Sequence, residues 1–180
     1  MDEAKKPPPF KWAPGFADAI ANIANRWAHL EFYINYSIWL LAGLDAQRGA
    51  CLTSQMYTLQ AKLSAMKSLL EFADAPKELV TRVNKFAESI RGPQEMRNRA
   101  LHDMWLMDNE DAAKMARLEI VAPGKLKFEP KPYEARGLEE VLAGIVIASK
   151  EANSIRLAIY ELKTLPPRHP SLTDPMEVVV

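Results

Sequence analysis

Apolar positions recur at three- and four-residue steps along most of this 180-residue chain, a spacing that puts them on one face of an α-helix. Over residues 16–44 the first such stripe is Ile20, Ile23, Trp27, Leu30, Ile34, Ile38 and Leu41, with Gly43 and Gly49 bracketing its end. Thr53 or Ser54 can cap a second helix carrying Met56, Leu59, Leu63, Met66, Leu70 and Ala73. Pro76 suits the first turn of a third, which bears Leu79, Val83, Phe86 and Ile90. At Gly92-Pro93 that helix either kinks or stops, because Pro93 has no N–H and crowds the preceding turn, a cost of about 3 kcal/mol in a straight helix. A fourth segment then runs from Pro93 to about residue 107. Beyond it the period falls to two. Ala116, Leu118 and Ile120, answered by Leu126 and Phe128 across Pro123-Gly124, read as a hairpin over about 115–130. The last helix, about 137–163, has the most regular stripe: Leu138, Val141, Ile145, Ala148, Ala152, Ile155, Ile159 and Leu162.

The expected fold is therefore all-α, an up-and-down bundle of four to five helices with a small β-hairpin insert before the last helix. Proline-rich arms at residues 1–15 and 164–180 flank one domain at 16–163. Composition agrees: 48% apolar and 26% charged residues describe an ordinary globular chain. Twenty-three basic residues balance 23 acidic ones, which excludes a protein that coats polyanions through bulk positive charge. The single Cys51 excludes an intrachain disulfide and a thiolate zinc cluster, and suits a reducing, cytoplasmic setting. No apolar run approaches the roughly 18 residues of a membrane span, and the acidic, proline-rich start is no secretory signal. No membrane partner is expected.

Nucleotide-binding glycine loops, the nucleophile-elbow pattern, metalloprotease His pairs and paired CxxC motifs are all missing. Chemistry concentrates in one place. Between Lys77 and His102 six basic residues (Lys77, Arg82, Lys85, Arg91, Arg97, Arg99) stand against three acidic ones (Glu78, Glu88, Glu95), a local excess of +3 in a neutral chain. That stretch ends in RNRALHD. Asn98 and His102 are four residues apart and share a helix face, while Arg97 lies about 140° round from His102. A long side chain, a kink at Pro93 or a second subunit must bring the guanidinium to the imidazole. An imidazole, with a reference pKa of about 6.5, can move a proton near neutrality. A guanidinium can fork onto two phosphate oxygens, and an amide can orient either group. Together they can deprotonate a ribose 2′-OH and stabilise the pentavalent phosphate that follows without a metal. Asp103 alone would not hold Mg²⁺, so neither a metal nor another cofactor is expected. Arg91 and Arg99 are the neighbouring candidates for binding RNA phosphates.

RNRALHD in a helical chain of this size resembles the HEPN superfamily (higher eukaryotes and prokaryotes nucleotide-binding domains). Its signature is an Arg followed four to six residues later by His, often with a polar residue such as Asn directly after the Arg. Arg97, Asn98 and His102 match that pattern. The long first helix, with Glu31 in WAHLEFYIN, is also similar to the family. The resemblance implies a homodimer whose motifs face a shared cleft, often a metal-independent endoribonuclease acting as a toxin or in phage defence. A small nucleotidyltransferase antitoxin is the partner it implies besides RNA. Some members instead serve as inactive nucleotide- or RNA-binding or regulatory modules, and an unrelated helical interaction protein is the reading from outside the family.

Other residues are weighed beside the motif. Glu31, on the flank of the first stripe, is a candidate orienting acid for Arg97 or Arg99, or else a flank residue bonded to solvent or a nearby Lys. Met96, Met104 and Met107 read as core filling. His29, beside the first stripe, reads as a hydrogen-bonded structural imidazole and His169 as exposed tail. Trp27 is expected in the core and Trp12 in the free arm.

Overall fold

A computed structural model of the chain describes residues 15–107, 115–121, 127–133, 135–163 and 165. Trp12, His169, the hairpin turn at Pro123-Gly124 and the proline-rich arms apart from Gly15 and Leu165 lie outside the described residues. The fold is an all-α bundle with a small antiparallel sheet inserted before the last helix. The helices are α1 (Phe16–Ala42), α2 (Ala46–Ser54), α3 (Leu59–Phe72), α4 (Lys77–Ser89), α5 (Arg91–His102) and α6 (Ala135–Tyr160). Strands β1 (Met104–Met107), β2 (Met115–Val121) and β3 (Lys127–Tyr133) lie between α5 and α6.

Helix α1 is the axis of the molecule, packed against α2, α3, α5 and α6. Its stripe residues Ile23, Trp27, Leu30, Ile34, Ile38 and Leu41 are buried, and from Tyr36 to Leu41 every residue is. A helix apolar on all sides must be covered on all sides. Ser37 fits there because its Oγ donates to the Tyr33 carbonyl at 2.8 Å. Gly43 closes α1 in the left-handed region (φ 64°), with backbone bonds back to Leu40 and Trp39. The α6 stripe from Leu138 to Ile159 is spent inside the chain, so its regularity reflects packing within one protomer. Ile147 and Leu157 are the exposed large apolar side chains of α6.

Two boundaries differ from the sequence reading. Thr53 and Ser54 end α2, and the cap of α3 is Thr58, whose Oγ1 accepts from the Ala61 N–H at 3.1 Å. The third helix does stop, as expected at Gly92-Pro93: α4 ends at Ser89 and α5 begins at Arg91, with Ile90 between them just ahead of Pro93. Pro93 falls in the first turn of α5, where its missing N–H has no intrahelical partner to lose. The segment after it is helical only to His102, and Met104–Met107 form a strand.

That strand makes the insert a three-stranded meander of order β1-β2-β3, with Met104 opposite Leu118 and Ile120 opposite Phe128. Pro130 and Pro132 sit on β3, an edge strand, where absent ladder donors are tolerated. The alternation of Ala116 and Leu118 identifies the strand but not the face that meets the bundle. Met115 on the other face joins the core, on the side of its cross-strand neighbour Trp105 and away from Leu118.

A polar clamp joins α4 to α6. Arg82 Nε and Nη2 donate to Glu151 Oε1 and Oε2 at 2.7 and 3.0 Å, and Nη2 also donates to Ser154 Oγ at 2.8 Å. Hydrogen bonds from Arg82 hold the Glu151 carboxyl below its ordinary range, against the opposing effect of burial. A depressed carboxyl stabilises the fold above its unfolded pKa of about 4.3, and that contribution is lost as pH falls through the lower folded value. Both side chains are more than a third exposed (37% and 39%), so screening limits the pair to less than about 1 kcal/mol. Glu151→Gln is expected to lower stability by about 0.5 kcal/mol at pH 7. In urea titrations the gap to wild type should close below about pH 4.3. A pH-independent gap would contradict this origin.

Candidate functional site

Helix α5 carries the motif, and its periodicity sorts the residues. Arg91, Asn98 and His102 follow one another at steps of seven and four, which at about 100° per residue puts them on one face. All three are exposed. Arg99 flanks this face and is held by Glu95, its Nη2 donating to Oε1 at 2.9 Å. Arg97 lies on the inward side with Ala100, which is buried. The guanidinium of Arg97 stacks over the Trp27 ring of α1, 5.4 Å from its centroid.

Unbroken helix from Arg91 to His102 means that no kink turns Arg97 toward the imidazole. The long side chain does part of that work. Arg97 Nη1 donates to Asn98 Oδ1 at 3.0 Å, so the guanidinium reaches from the α1 side to the Asn98–His102 face and fixes the amide one turn before His102. Arg97 Nε is buried with no hydrogen-bond partner. Burial pulls the pKa of Arg97 down from its ordinary value, and the nearby Glu31 carboxylate opposes that shift.

Glu31 forms no salt bridge with Arg97 or Arg99. Its Oε1 accepts from Trp27 Nε1 at 2.9 Å and its Oε2 lies 3.8 Å from Lys62 Nζ. It acts on Arg97 through the field it sets beside Trp27, and through holding that indole in place under the guanidinium. The nearby-lysine alternative is therefore the one realised. Asp103 ends α5 and is paired with Arg117 of β2 at 3.3 Å, and Trp105 Nε1 donates to the Ala100 carbonyl at 3.0 Å. These bonds tie the last turn of α5 to the sheet, so His102 projects from a braced helix end. Met96 and Met104, expected in the core, are 43% and 60% exposed, and Leu106, two residues after Met104 on β1, is exposed as well. The side chain of Met107 lies outside the described ones. Among the described residues no three His, Cys, Asp or Glu side chains come together as a metal site. No described helix is long and apolar enough to cross a membrane.

One stability contrast follows from this geometry. Arg97→Ala removes a half-buried cation–π contact and is expected to cost about 1 kcal/mol. His102→Ala removes an exposed side chain and should stay within about 0.5 kcal/mol. Denaturant midpoints of the two variants measure the difference, and equal midpoints would mean that the Trp27 contact contributes nothing.

No family model, curated protein or solved structure matches the chain.

Proposed function

We propose that the protein is a metal-independent endoribonuclease of HEPN-like design, with its site on the exposed face of α5. The observation that carries the reading is the Arg97–Asn98 hydrogen bond, one helical turn before an exposed His102. His102 acts as the proton-transfer group for the ribose 2′-OH. Asn98, held by Arg97, orients the attacked phosphate, Arg97 supplies positive charge to its oxygens, and Arg91, about 16 Å along the helix from His102, holds a neighbouring RNA phosphate. Arg99 contributes less, because Glu95 already takes one of its donors. The test is cleavage by purified protein of an RNA oligonucleotide against DNA of the same sequence. RNA alone should be cut, because DNA lacks the attacking hydroxyl.

A homodimer suits this chemistry, since a second copy would add a second Arg97 and His102 to one cleft. The exposed Met104 and Leu106 just past the end of α5, with the exposed Met96 on α5 itself, support such a contact. Light scattering should then report about 40 kDa, twice the 20.3 kDa chain. A monomer at micromolar concentration would contradict the shared cleft. In a toxin–antitoxin setting the partner would be a small nucleotidyltransferase.

One observation favours a second reading, a binding module without catalysis. Arg97 is turned to Trp27, and only its Asn98 contact reaches the face of His102. RNA retained by the protein but never cut would establish that reading instead.

A further inference from the structure

A charge is buried on α3 where packing calls for none. Lys62 stands among the buried residues of that helix, three after Leu59 and four before Met66, where the helical period puts an apolar side chain. It is 8% exposed. An ammonium taken out of water is costly unless it is paired, and a Met or Leu of similar volume fills such a position without that cost. Among the described residues the ion pair of Lys62 is with Glu31 of α1, Nζ to Oε2 at 3.8 Å.

Glu31 connects that charge to the α5 site. Its other oxygen, Oε1, accepts from Trp27 Nε1 at 2.9 Å. The face of that indole carries the Arg97 guanidinium, 5.4 Å from the ring centroid, and Arg97 Nη1 donates to Asn98 Oδ1 at 3.0 Å. Four contacts therefore run from α3 through α1 to α5, and they end at the amide one turn before His102.

Two cations act on this one carboxylate. Lys62 pairs with its Oε2, while Arg97 feels it through the field alone. Taking Lys62 away lets Glu31 pair with Arg97 directly, which draws the guanidinium off the indole and away from Asn98. A carboxylate held at the indole N–H also makes the ring face more negative, and so strengthens the stack under the guanidinium. We propose that Lys62 is a positioning residue of the α5 site: by holding Glu31 it keeps the Trp27 indole under Arg97 and leaves Arg97 directed at Asn98. The rate effect expected of Lys62 rests on the ribonuclease reading of α5, whereas its hold on Arg97 does not.

Lys62→Met and Lys62→Arg in the full chain test it, with Lys67→Met as control. Lys67 lies on the same helix, half-exposed and paired with Glu71 at 3.9 Å. Nitrogen–proton NMR spectra of the protein without RNA report the Trp27 indole N–H and the Asn98 side-chain amide. Both signals should shift in Lys62→Met far more than in Lys67→Met, and Lys62→Arg, which keeps the charge, should bring them back toward wild type. The melting temperature of Lys62→Met should be unchanged, because Met fits the stripe and the Glu31 side chain, 37% exposed, stays solvated. RNA cleavage by Lys62→Met should fall about tenfold in kcat with KM little changed, since what is lost is the placing of groups at the reacting phosphate. Shifted Asn98 signals in a protein that cuts no RNA would remove the ribonuclease reading and leave the hold of Lys62 on Arg97 standing. Unmoved Trp27 and Asn98 signals in Lys62→Met overturn the proposal, and so does a wild-type kcat in that variant. Should Lys62→Met unfold, Lys62→Gln, which keeps a polar end without the charge, carries the same expectations.

Discussion

His102→Ala is expected to slow RNA cleavage by about 10²-fold or more, the usual scale for a lost proton-transfer group. The side chain is exposed at the end of α5, and the bonds that brace that end come from Asp103 and Trp105. The loss should therefore appear in rate with the melting curve unchanged. Arg97→Lys keeps the charge but loses the planar fork that spans Trp27 and Asn98, so it should also be impaired. Arg99→Ala should cost far less, because Arg99 is already held by Glu95. Cleavage by His102→Ala within a few-fold of wild type would remove His102 from the mechanism.

Gly49→Ala should be the most damaging small change to the fold. A Cβ built at Gly49 would lie 2.4 to 2.7 Å from three atoms of the Trp39 ring. Trp39 is only 7% exposed and its Nε1 donates to Thr53 Oγ1 at 3.2 Å, so the ring cannot swing aside without losing that bond. Overpacking of this kind costs about 1–3 kcal/mol, which at this chain length lowers Tm by roughly 2–12 °C. Gly92→Ala is the matching control, because nothing lies within 4 Å of its added methyl. It should leave Tm equal or slightly raised, since Ala favours helix over Gly. Equal Tm values for the two variants would show that α2 does not close on Trp39.

Gly49 also marks where the sequence was readable and where it was not. The long stripes of α1 and α6 were plain because each faces the core along its whole length. Helix α2 has no stripe: Gly49 and Thr53 are its buried residues, so it reads as a link, with Thr53 taken for the cap of the next helix. Strand β1 is four apolar residues, too short for either period to show, and it reads as the tail of α5. Met96 and Met104 were expected inside because their residue type is usually buried, whereas here they lie on the surface.

Residue positions in the motif were legible, since helical spacing alone puts Asn98 and His102 on one face. The inward stacking of Arg97 was not, because nothing local marks an arginine as packed on an indole some 70 residues earlier. Nor was the small cleft where Arg26, His29 and Tyr33 of α1 meet Ser149, Lys150 and Asn153 of α6, residues that only the bundle brings to one place.

Analysis of the RNA ends produced in excess EDTA tests the central claim most directly. Attack by the 2′-OH, with His102 moving the proton, leaves a 2′,3′-cyclic phosphate on one fragment and a 5′-OH on the other, and nothing in that step calls for a cation. The account predicts those ends with EDTA present. Cleavage that requires Mg²⁺, or that leaves a 3′-OH and a 5′-phosphate, would contradict it.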